Sequence, residues 1–380
     1  MPPESAEGGR KMGGGEFETA AAEDVGLSQE RLDVAVALLQ AEVDRGDRAS
    51  AATLFVGRHG KAVLSRGFGH MRPEPGAAKV EDDAIFLIAS PTKPVTAVAA
   101  MLLVEAGRLS LRDRVSQHIP EFQGPHKEKI TLRHLLTHTS GMPDMLPNNA
   151  ALRRAHEPLS TFVEGAIQTP LLYEPGTDFR YQSKGILLAA EIVERISGKR
   201  LRDFEQESIF GPLGMDRTCL GLEGIGVADT VWCGTSVNES ESDRRCGWNT
   251  EYWRDFGAPW GGLHTTAPDL ARLVYAILND GSVAGTTLLS VAAARTMKTN
   301  HSPHLGAPWG IGWGLRDSRV WNFFGDLVSA STFGHVGATG TVAWADPQTD
   351  LVCVIFTNKM VEEGSLLNRV SNAVAASVVE

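Results

Sequence analysis

The chain has 380 residues, of which 42% are hydrophobic, enough to build a sizeable buried core in a globular protein. Its net charge is −10 and it contains no basic stripe or lysine-rich block, so nucleic acid is not an expected partner. The chain has no run of about 18 apolar residues that could span a membrane and no signal-peptide core near its start, which together predict a cytoplasmic protein without membrane association.

The N-terminal region divides into a polar segment and a helix. Residues 1–22 are rich in glycine, glutamate and alanine, and this composition predicts a disordered segment. The first predicted helix follows, because Ser28 can cap it and Leu32, Val36 and Leu39 recur at helical spacing to form one apolar face. Such a helix is expected to pack on a sheet.

Strand-like runs occur at both ends of the chain. AATLFVGR and KAVLSRGFG are joined by a glycine-containing turn and predict a hairpin, and TFGHVGATGTVAWAD and LVCVIFTNK repeat the pattern within the last 50 residues. A final stretch, GSLLNRVSNAVAASVV, has a helical period. Sheet elements and a helix are therefore predicted at the C-terminal end as well.

Helical patterns dominate the middle of the chain, at residues 95–106, 131–137, 184–197, 200–209 and 268–279. Because the terminal strands need partners at their edges, we predict one domain over residues 23–380, of mixed α/β (α+β) class. An antiparallel sheet flanked by terminal helices would come from about 23–88 and 286–380. A mostly helical subdomain, about 89–285, would be inserted between the two halves of the sheet.

Several common enzyme signatures are absent from the sequence. It has no Gly-x-Ser-x-Gly elbow, no glycine-rich phosphate loop after a strand and no His-Glu-x-x-His helix. The four cysteines show no zinc-binding spacing, and His134 and His138, although four residues apart, have no evident third ligand and are expected to be structural. We therefore expect neither a metal nor a cofactor.

The stretch FLIASPTKPVTAVAAMLLVEAG places Ser90 and Lys93 three residues apart where an apolar run becomes a helix. Pro91 suits a first helical position, so Ser90 is expected at a helix N-terminus, where free N–H groups stabilise negative charge. Lys93 can then reach the Ser90 hydroxyl, and burial would lower its pKa toward neutral. A capping serine followed by a solvated lysine is the alternative interpretation.

Two further motifs follow in the chain. YEPGTDFRYQSKGILLAAEIVERISG places Tyr181 just before a predicted helix, and TFGHVGATGTVAWAD places His335, Val336 and Gly337 at the start of a late strand. A tyrosine can serve as a general acid or base, although a buried core tyrosine is the alternative interpretation.

The three motifs in this order resemble the serine β-lactamase and penicillin-binding protein superfamily, in its branch of class C β-lactamases, D-alanyl-D-alanine peptidases and family VIII carboxylesterases. The similarity covers roughly residues 25–360 and includes LSLRDRVSQHIPEF, ITLRHLLTHTSGMPD, FGPLGMDRT and GGLHTTAPDLARL. It implies a β-lactamase/transpeptidase-like fold, with Ser90 as acylated nucleophile, Lys93 as proton acceptor and Tyr181 as a second general acid/base. It also implies an oxyanion hole made by the backbone N–H groups of Ser90 and Ala338.

The chain departs from the family pattern at two positions. Family lactamases and peptidases usually carry Asn two residues after the tyrosine to contact the substrate's acylamino group, and this chain has Ser183. Their third motif usually reads Lys-Thr-Gly or His-Thr-Gly and holds a substrate carboxylate, whereas here Val336 lacks a hydroxyl and His335 is expected to be mostly neutral at pH 7. An uncharged ester is therefore the expected substrate.

Tryptophans near positions that border the site in this family could form an aromatic pocket, with core packing as the alternative: Trp248, Trp253, Trp260, Trp309 and Trp313. The side chains predicted to bind substrate are Ser183, His335, Val336, Gly337 and Trp260.

We predict a serine hydrolase that cleaves small-molecule carboxylic esters through an acyl-enzyme on Ser90. A β-lactamase or D-amino-acid peptidase, an acyltransferase, and a non-catalytic penicillin-binding-like module remain alternatives, because a shared fold does not determine the substrate. The oligomeric state is left open.

Overall fold

The computed structural model describes residues 17–46, 48–234, 245–320 and 322–379. Its strands are β1 Ala51–Arg58, β2 Lys61–Gly69, β3 Phe86–Leu87, β4 Cys219–Leu220, β5 Leu263–Thr265, β6 Ser282–Val283, β7 Thr286–Thr287, β8 Gly314–Leu315, β9 Phe333–Gly337, β10 Thr341–Asp346 and β11 Leu351–Thr357. Six of them form a central sheet in the order β2-β1-β11-β10-β9-β8, and each neighbouring pair is antiparallel. The predicted antiparallel sheet built from both ends of the chain is confirmed.

The described helices are α1 Gln29–Arg45, α2 Thr92–Glu105, α3 Val115–His118, α4 Leu132–Leu136, α5 Asn149–Arg154, α6 Leu159–Gln168, α7 Lys184–Ser197, α8 Leu201–Glu205, α9 Gly211–Leu213, α10 Glu251–Asp255, α11 Ala267–Leu278, α12 Val291–Met297 and α13 Ser365–Ala375. Ser28 caps α1 as predicted, because its side chain accepts a hydrogen bond from the Arg31 N–H. No helix in the described part of the chain combines the length and apolar character needed to cross a bilayer.

Helices cover both faces of the central sheet. The terminal helices α1 and α13 pack on each other and on one face, and α11 packs on β1, β10 and β11 from the other face. Strands β1, β10 and β11 are buried along their whole length, and this explains why their sequences are almost continuously apolar rather than alternating. A smaller antiparallel sheet, β3-β5-β4, carries the chain from the central sheet into the helices.

The predicted disorder of residues 1–22 is wrong for its last six residues. The Phe17 ring packs on Phe55 and Tyr275 with centroids 5.1 and 5.6 Å away, and Thr19 forms a β-bridge with Ala62. Burial of an aromatic ring against the sheet outweighs the polar local composition. Residues 1–16 lie outside the described residues, so the prediction stays a prediction there.

The turn between β9 and β10 is fastened to the segment that leads into α2. The Thr339 Oγ1 donates to the Leu87 carbonyl at 2.9 Å, and the Thr341 Oγ1 donates to the Ile88 carbonyl at 2.7 Å. A Cβ atom at Gly337 would lie 2.1 Å from the Ile88 oxygen. Only glycine therefore allows β9 to approach this segment so closely.

We expect Gly337→Ala to lower the free energy of unfolding by about 1–3 kcal/mol, because the added methyl group forces the two segments apart. Gly261→Ala is the matched control, since its Cβ would meet nothing nearer than 3.7 Å. Chemical denaturation of the two variants beside the wild type measures the difference. Equal stability of Gly337→Ala and Gly261→Ala would contradict the close approach.

Candidate active site

Ser90 lies on a tight connection between β3 and α2. Ala89 adopts a left-handed backbone conformation with φ of 55°, which is uncommon for a residue with a side chain and is often found at functional sites. Helix α2 has Pro91 at its N-cap without a side-chain cap, so Ser90 does not cap the helix. The interpretation of Ser90 as a capping serine is wrong, and its hydroxyl is left to interact with other side chains.

Lys93 points into the protein and not into solvent. Its side chain is 1% exposed, and its Nζ donates to Ser90 Oγ at 3.0 Å and to the Trp260 carbonyl at 2.9 Å. Burial lowers the pKa of Lys93 to about 7, and the negative charge of Asp144 opposes this shift in part. Near neutral pH, a large fraction of Lys93 is thus able to accept a proton.

Tyr181 completes a cluster of three polar groups. The Lys93 ammonium lies 4.8 Å from the centroid of its ring, and the Ser90 side chain also acts on its hydroxyl. Burial raises the pKa of Tyr181 above its ordinary value, so the phenol keeps its proton at neutral pH. In this state Tyr181 can donate a proton, and Lys93 is the group suited to accept one.

His138 holds the backbone on both sides of Tyr181, a positioning role that the sequence analysis missed. Its Nδ1 accepts from the Gln182 N–H and its carbonyl accepts from the Arg180 N–H, so both neighbours of Tyr181 are held by one residue. The centroids of the His138 and Tyr181 rings lie 4.6 Å apart. His138 lies in the stretch ITLRHLLTHTSGMPD, but only the fold brings this histidine against the second motif.

His134 has the expected structural role, because its Nδ1 accepts from the Thr131 N–H at the start of α4.

The third motif runs along β9 beside the same cluster. His335 is 3% exposed, and its Nδ1 donates to the Val336 carbonyl at 3.0 Å. Burial, aided by the charge of Lys93, lowers the pKa of His335 to about 3, so the ring is neutral at pH 7. Val336 is buried in the cluster of apolar residues that includes Phe324.

Two backbone N–H groups near the site, on different segments, lack a hydrogen-bond partner among the described residues. Ala338 follows the end of β9, and the fastening of the β9–β10 turn described above brings it beside the connection that carries Ser90. Within the described residues, neither the Ser90 nor the Ala338 N–H has a hydrogen-bond partner. An oxyanion hole requires two donors aimed at one oxygen atom, so these two N–H groups are available for the role that the resemblance implies, which stays a prediction.

Residues 35–376 match the family described as Beta-lactamase, which is most of the chain. The chain belongs to the beta-lactamase family. The resemblance recognised from the three motifs is confirmed, and so is the predicted fold class.

The relatives span a wide range of sequence identity. An uncharacterised protein of Mycobacterium tuberculosis is 31% identical over 344 residues, which cover 80% of this chain and 84% of that protein. A penicillin-binding protein homologue from Caulobacter crescentus has a TM-score of 0.76 at 22% identity, covering 93% of this chain and 99% of its own. A family VIII carboxylesterase has a TM-score of 0.71 at 19% identity, and the likeness covers 94% of this chain and 99% of the esterase chain. The last two likenesses establish the shared fold.

Two small pockets lie near the polar cluster. The first, here called the Trp260 pocket, has a cavity volume of about 10 Å³ and is lined by Asp144, Met145, Leu146, Asn149, Phe162, Ser183, Lys184, Leu187 and Trp260. The second, the Trp309 pocket, also has a cavity volume of about 10 Å³ and is lined by Tyr181, Trp309, Gly314, Val320, Phe324, Gly334, His335 and Val336. A larger groove of about 450 Å³ between α6, α7 and α8 contains none of the three polar groups of the cluster, and of the two small pockets only the Trp309 pocket contains one of them, Tyr181.

The pockets separate the five tryptophans into two groups. Trp260 and Trp309 each line a pocket beside the cluster. Trp313 packs on Phe333 and Trp253 packs on Phe256, and neither lines one of these two pockets. Trp248 is half-buried against the same apolar core and also lines neither pocket. Core packing therefore accounts for Trp248, Trp253 and Trp313.

Asp144 is a second residue that the sequence analysis missed. Its Oδ1 accepts from the Ser183 N–H at 2.7 Å, and its carboxylate is close enough to raise the pKa of Lys93 and of Lys184. It ends the quoted stretch ITLRHLLTHTSGMPD, where nothing in the local pattern indicates that it reaches the second motif. Within the described residues, no group of three His, Cys, Asp or Glu side chains is placed to hold a metal ion.

The pKa of Lys93 can be measured through the reactivity of Ser90. We expect the rate of Ser90 labelling by a fluorophosphonate to rise with pH through a midpoint near 7, because only the neutral amine can take the hydroxyl proton. The rate should fall about tenfold per unit below that midpoint and level off above it. Mass spectrometry of the intact protein over time gives the rate at each pH. A midpoint near the ordinary lysine value would show that Lys93 is solvated or is not the base.

Proposed function

We propose that this member of the beta-lactamase family is a serine hydrolase that cleaves small uncharged carboxylic esters through an acyl-enzyme on Ser90. The observation that carries the proposal is the 3.0 Å hydrogen bond from Lys93 Nζ to Ser90 Oγ, made by an amine whose pKa burial lowers to about 7. A serine hydroxyl is a weak nucleophile until a neighbouring base accepts its proton. A binding module that does no chemistry has no need of such a pair.

Acylation follows from the positions of these groups. Ser90 Oγ attacks the ester carbonyl carbon while neutral Lys93 accepts the hydroxyl proton. The negative charge that develops on the carbonyl oxygen is stabilised by the N–H groups of Ser90 and Ala338. The bond to the alcohol oxygen then breaks, that oxygen takes the Tyr181 proton, and Tyr181 recovers a proton from Lys93.

Deacylation uses the same groups in reverse order. A water molecule occupies the place of the departed alcohol and passes a proton to Tyr181 as Tyr181 passes one to Lys93, and its oxygen attacks the acyl carbon. The bond to Ser90 Oγ breaks, Lys93 returns a proton to that oxygen, and the free acid leaves. Transfer to an acceptor alcohol is the second candidate function, because Tyr181, which lines the Trp309 pocket, would accept the proton of an alcohol hydroxyl in the same way as that of water.

The charges of the site favour an ester over a β-lactam or a peptide. His335 is neutral and Val336 has no hydroxyl, so the third motif offers a substrate carboxylate neither a cation nor a hydroxyl donor. Asp144 adds a negative charge beside Ser183. A buried polar group without a partner costs about 1–3 kcal/mol, and more when it is charged. A neutral ester has no carboxylate to desolvate.

We expect Ser90→Ala to remove nearly all hydrolysis of p-nitrophenyl acetate without changing the melting temperature by more than a few degrees, because only one hydroxyl is lost. Ser160→Ala is the matched control, an exposed serine in the larger groove. Initial rates and thermal unfolding of the two variants beside the wild type give the result. Substantial activity in Ser90→Ala would indicate another nucleophile.

We expect the wild type to hydrolyse small p-nitrophenyl esters readily and a chromogenic cephalosporin slowly or not at all. Two unpaired polar groups of the cephalosporin would lower kcat/KM by roughly 10²–10⁴. Ser183→Asn combined with Val336→Thr should raise the cephalosporin rate relative to the ester rate, because it restores an amide and a hydroxyl. If the wild type turned over the cephalosporin as efficiently as its best ester, the esterase proposal would be contradicted and the β-lactamase alternative favoured.

A further inference from the structure

Two residues that line the Trp309 pocket each have a buried nitrogen without a partner. Trp309 is 2% and His335 is 3% exposed, and neither Trp309 Nε1 nor His335 Nε2 has a hydrogen-bond partner among the described residues. Buried polar atoms in proteins are almost always bonded to protein or to ordered water. These two nitrogens therefore require a partner in the pocket that they line.

The two nitrogens need a partner that both donates and accepts. His335 Nδ1 donates to the Val336 carbonyl at 3.0 Å, and a neutral imidazole has a single N–H, so its Nε2 carries a lone pair and accepts. The indole N–H of Trp309 can only donate. A water molecule or a hydroxyl group satisfies both nitrogens at once, because its oxygen accepts and its hydrogen donates.

The size of the pocket favours water over a larger partner. Its cavity volume of about 10 Å³ corresponds to about one water molecule. The rings of Trp309 and His335 are perpendicular, with centroids 5.8 Å apart, so the two nitrogens can share one small molecule between them. The other lining side chains, Tyr181 apart, are apolar or absent: Gly314, Val320, Phe324, Gly334 and Val336.

Tyr181 connects this pocket to the reacting centre. It lines the pocket, and its ring centroid lies 5.9 Å from that of Trp309 and 6.0 Å from that of His335. In the proposed deacylation Tyr181 takes a proton from the attacking water, so that water must lie within hydrogen-bond reach of the phenol oxygen. The pocket combines this phenol with space for one water molecule.

From these observations we infer that the Trp309 pocket binds the water molecule that hydrolyses the acyl-enzyme, and that Trp309 and His335 hold it there. The inference rests on the proposed function and identifies the nucleophile of its second step. One hydrogen of the water bonds to His335 Nε2, and one lone pair accepts from Trp309 Nε1. The other hydrogen passes to the Tyr181 oxygen as the phenol proton passes to Lys93, and the other lone pair forms the bond to the acyl carbon.

The same geometry disfavours transfer of the acyl group to an alcohol. An alcohol has a carbon in place of one hydrogen of water. When its only hydroxyl hydrogen passes to Tyr181, the carbon must point toward His335 Nε2, where it leaves that lone pair unpaired and has no room. Water is therefore the acceptor that this pocket selects.

Trp309→Phe is the informative variant, because it removes the indole N–H and keeps an aromatic ring. With p-nitrophenyl butyrate, kcat/KM reports acylation, and intact mass spectrometry of quenched samples gives the rate constant for breakdown of the acyl-enzyme. We expect the breakdown rate to fall about tenfold more than kcat/KM, which is the effect of one lost hydrogen bond.

Trp313→Phe is the matched control. Trp313 is also 2% exposed and its Nε1 also has no partner among the described residues, but it lines neither small pocket. The control should keep the wild-type ratio of the two rates. Melting temperatures of both variants check that the fold is intact.

Competition between water and added methanol gives a second measurement. The ratio of methyl ester to free acid depends only on how the acyl-enzyme partitions, so a partly unfolded variant does not change it. We expect Trp309→Phe to raise this ratio several-fold over the wild type, because the bound water loses a partner and the smaller ring leaves room for the methyl group. Trp313→Phe should leave the ratio unchanged.

The outcomes separate this inference from the function it rests on. An equal fall of kcat/KM and of the breakdown rate in Trp309→Phe, an unchanged breakdown rate and partition ratio, or the same effects in Trp313→Phe would overturn the water site and leave the esterase proposal standing. A high-resolution crystal structure without an ordered water bonded to Trp309 and His335 would also overturn it. Failure of the wild type to form any acyl-enzyme would remove the esterase proposal and this inference with it.

Discussion

The site depends on the close contact between the β9–β10 turn and the connection that precedes α2. Two threonine hydroxyls, from Thr339 and Thr341, donate to the carbonyls of residues that lie 252 and 253 positions away in the chain. Without this contact, the N–H of Ala338 would not lie beside Ser90, and the third motif would not close the cluster. The central sheet serves the site by holding β9 rigidly, because β10 pairs with β9 on one side and β11 on the other.

Burial then gives the cluster its chemical character. Lys93 is almost completely removed from water, and lowering its pKa from 10.5 to about 7 corresponds to about 5 kcal/mol of difference between its two protonation states. The same burial raises the pKa of Tyr181 and lowers that of His335. One physical effect, desolvation, thus keeps the phenol protonated, keeps the imidazole neutral and makes the amine a base at neutral pH.

Local rules predicted the parts of this protein that depend on neighbouring residues. Spacing of three residues on a helix placed Lys93 within reach of Ser90. The apolar runs and the turn residues between them predicted five strands of the central sheet, β1, β2, β9, β10 and β11, and missed β8, which has only two residues. Local composition failed at Phe17, because the ring packs on β1 and α11, which are distant in the chain. It also could not reveal that His138 holds both neighbours of Tyr181, since a buried histidine has the same local pattern whatever it contacts.

By itself, the sequence determined which family motifs are present, their order and the departures at Ser183 and Val336, because these are properties of residue identity. It also determined the helical periods of the long helices α1, α2, α7 and α11. Only the tertiary structure decided that Lys93 is desolvated, that Asp144 lies beside Ser183 and that two separate pockets flank the cluster. Burial, charge proximity and cavity shape arise from segments far apart in the chain, and no local pattern encodes the distances between them.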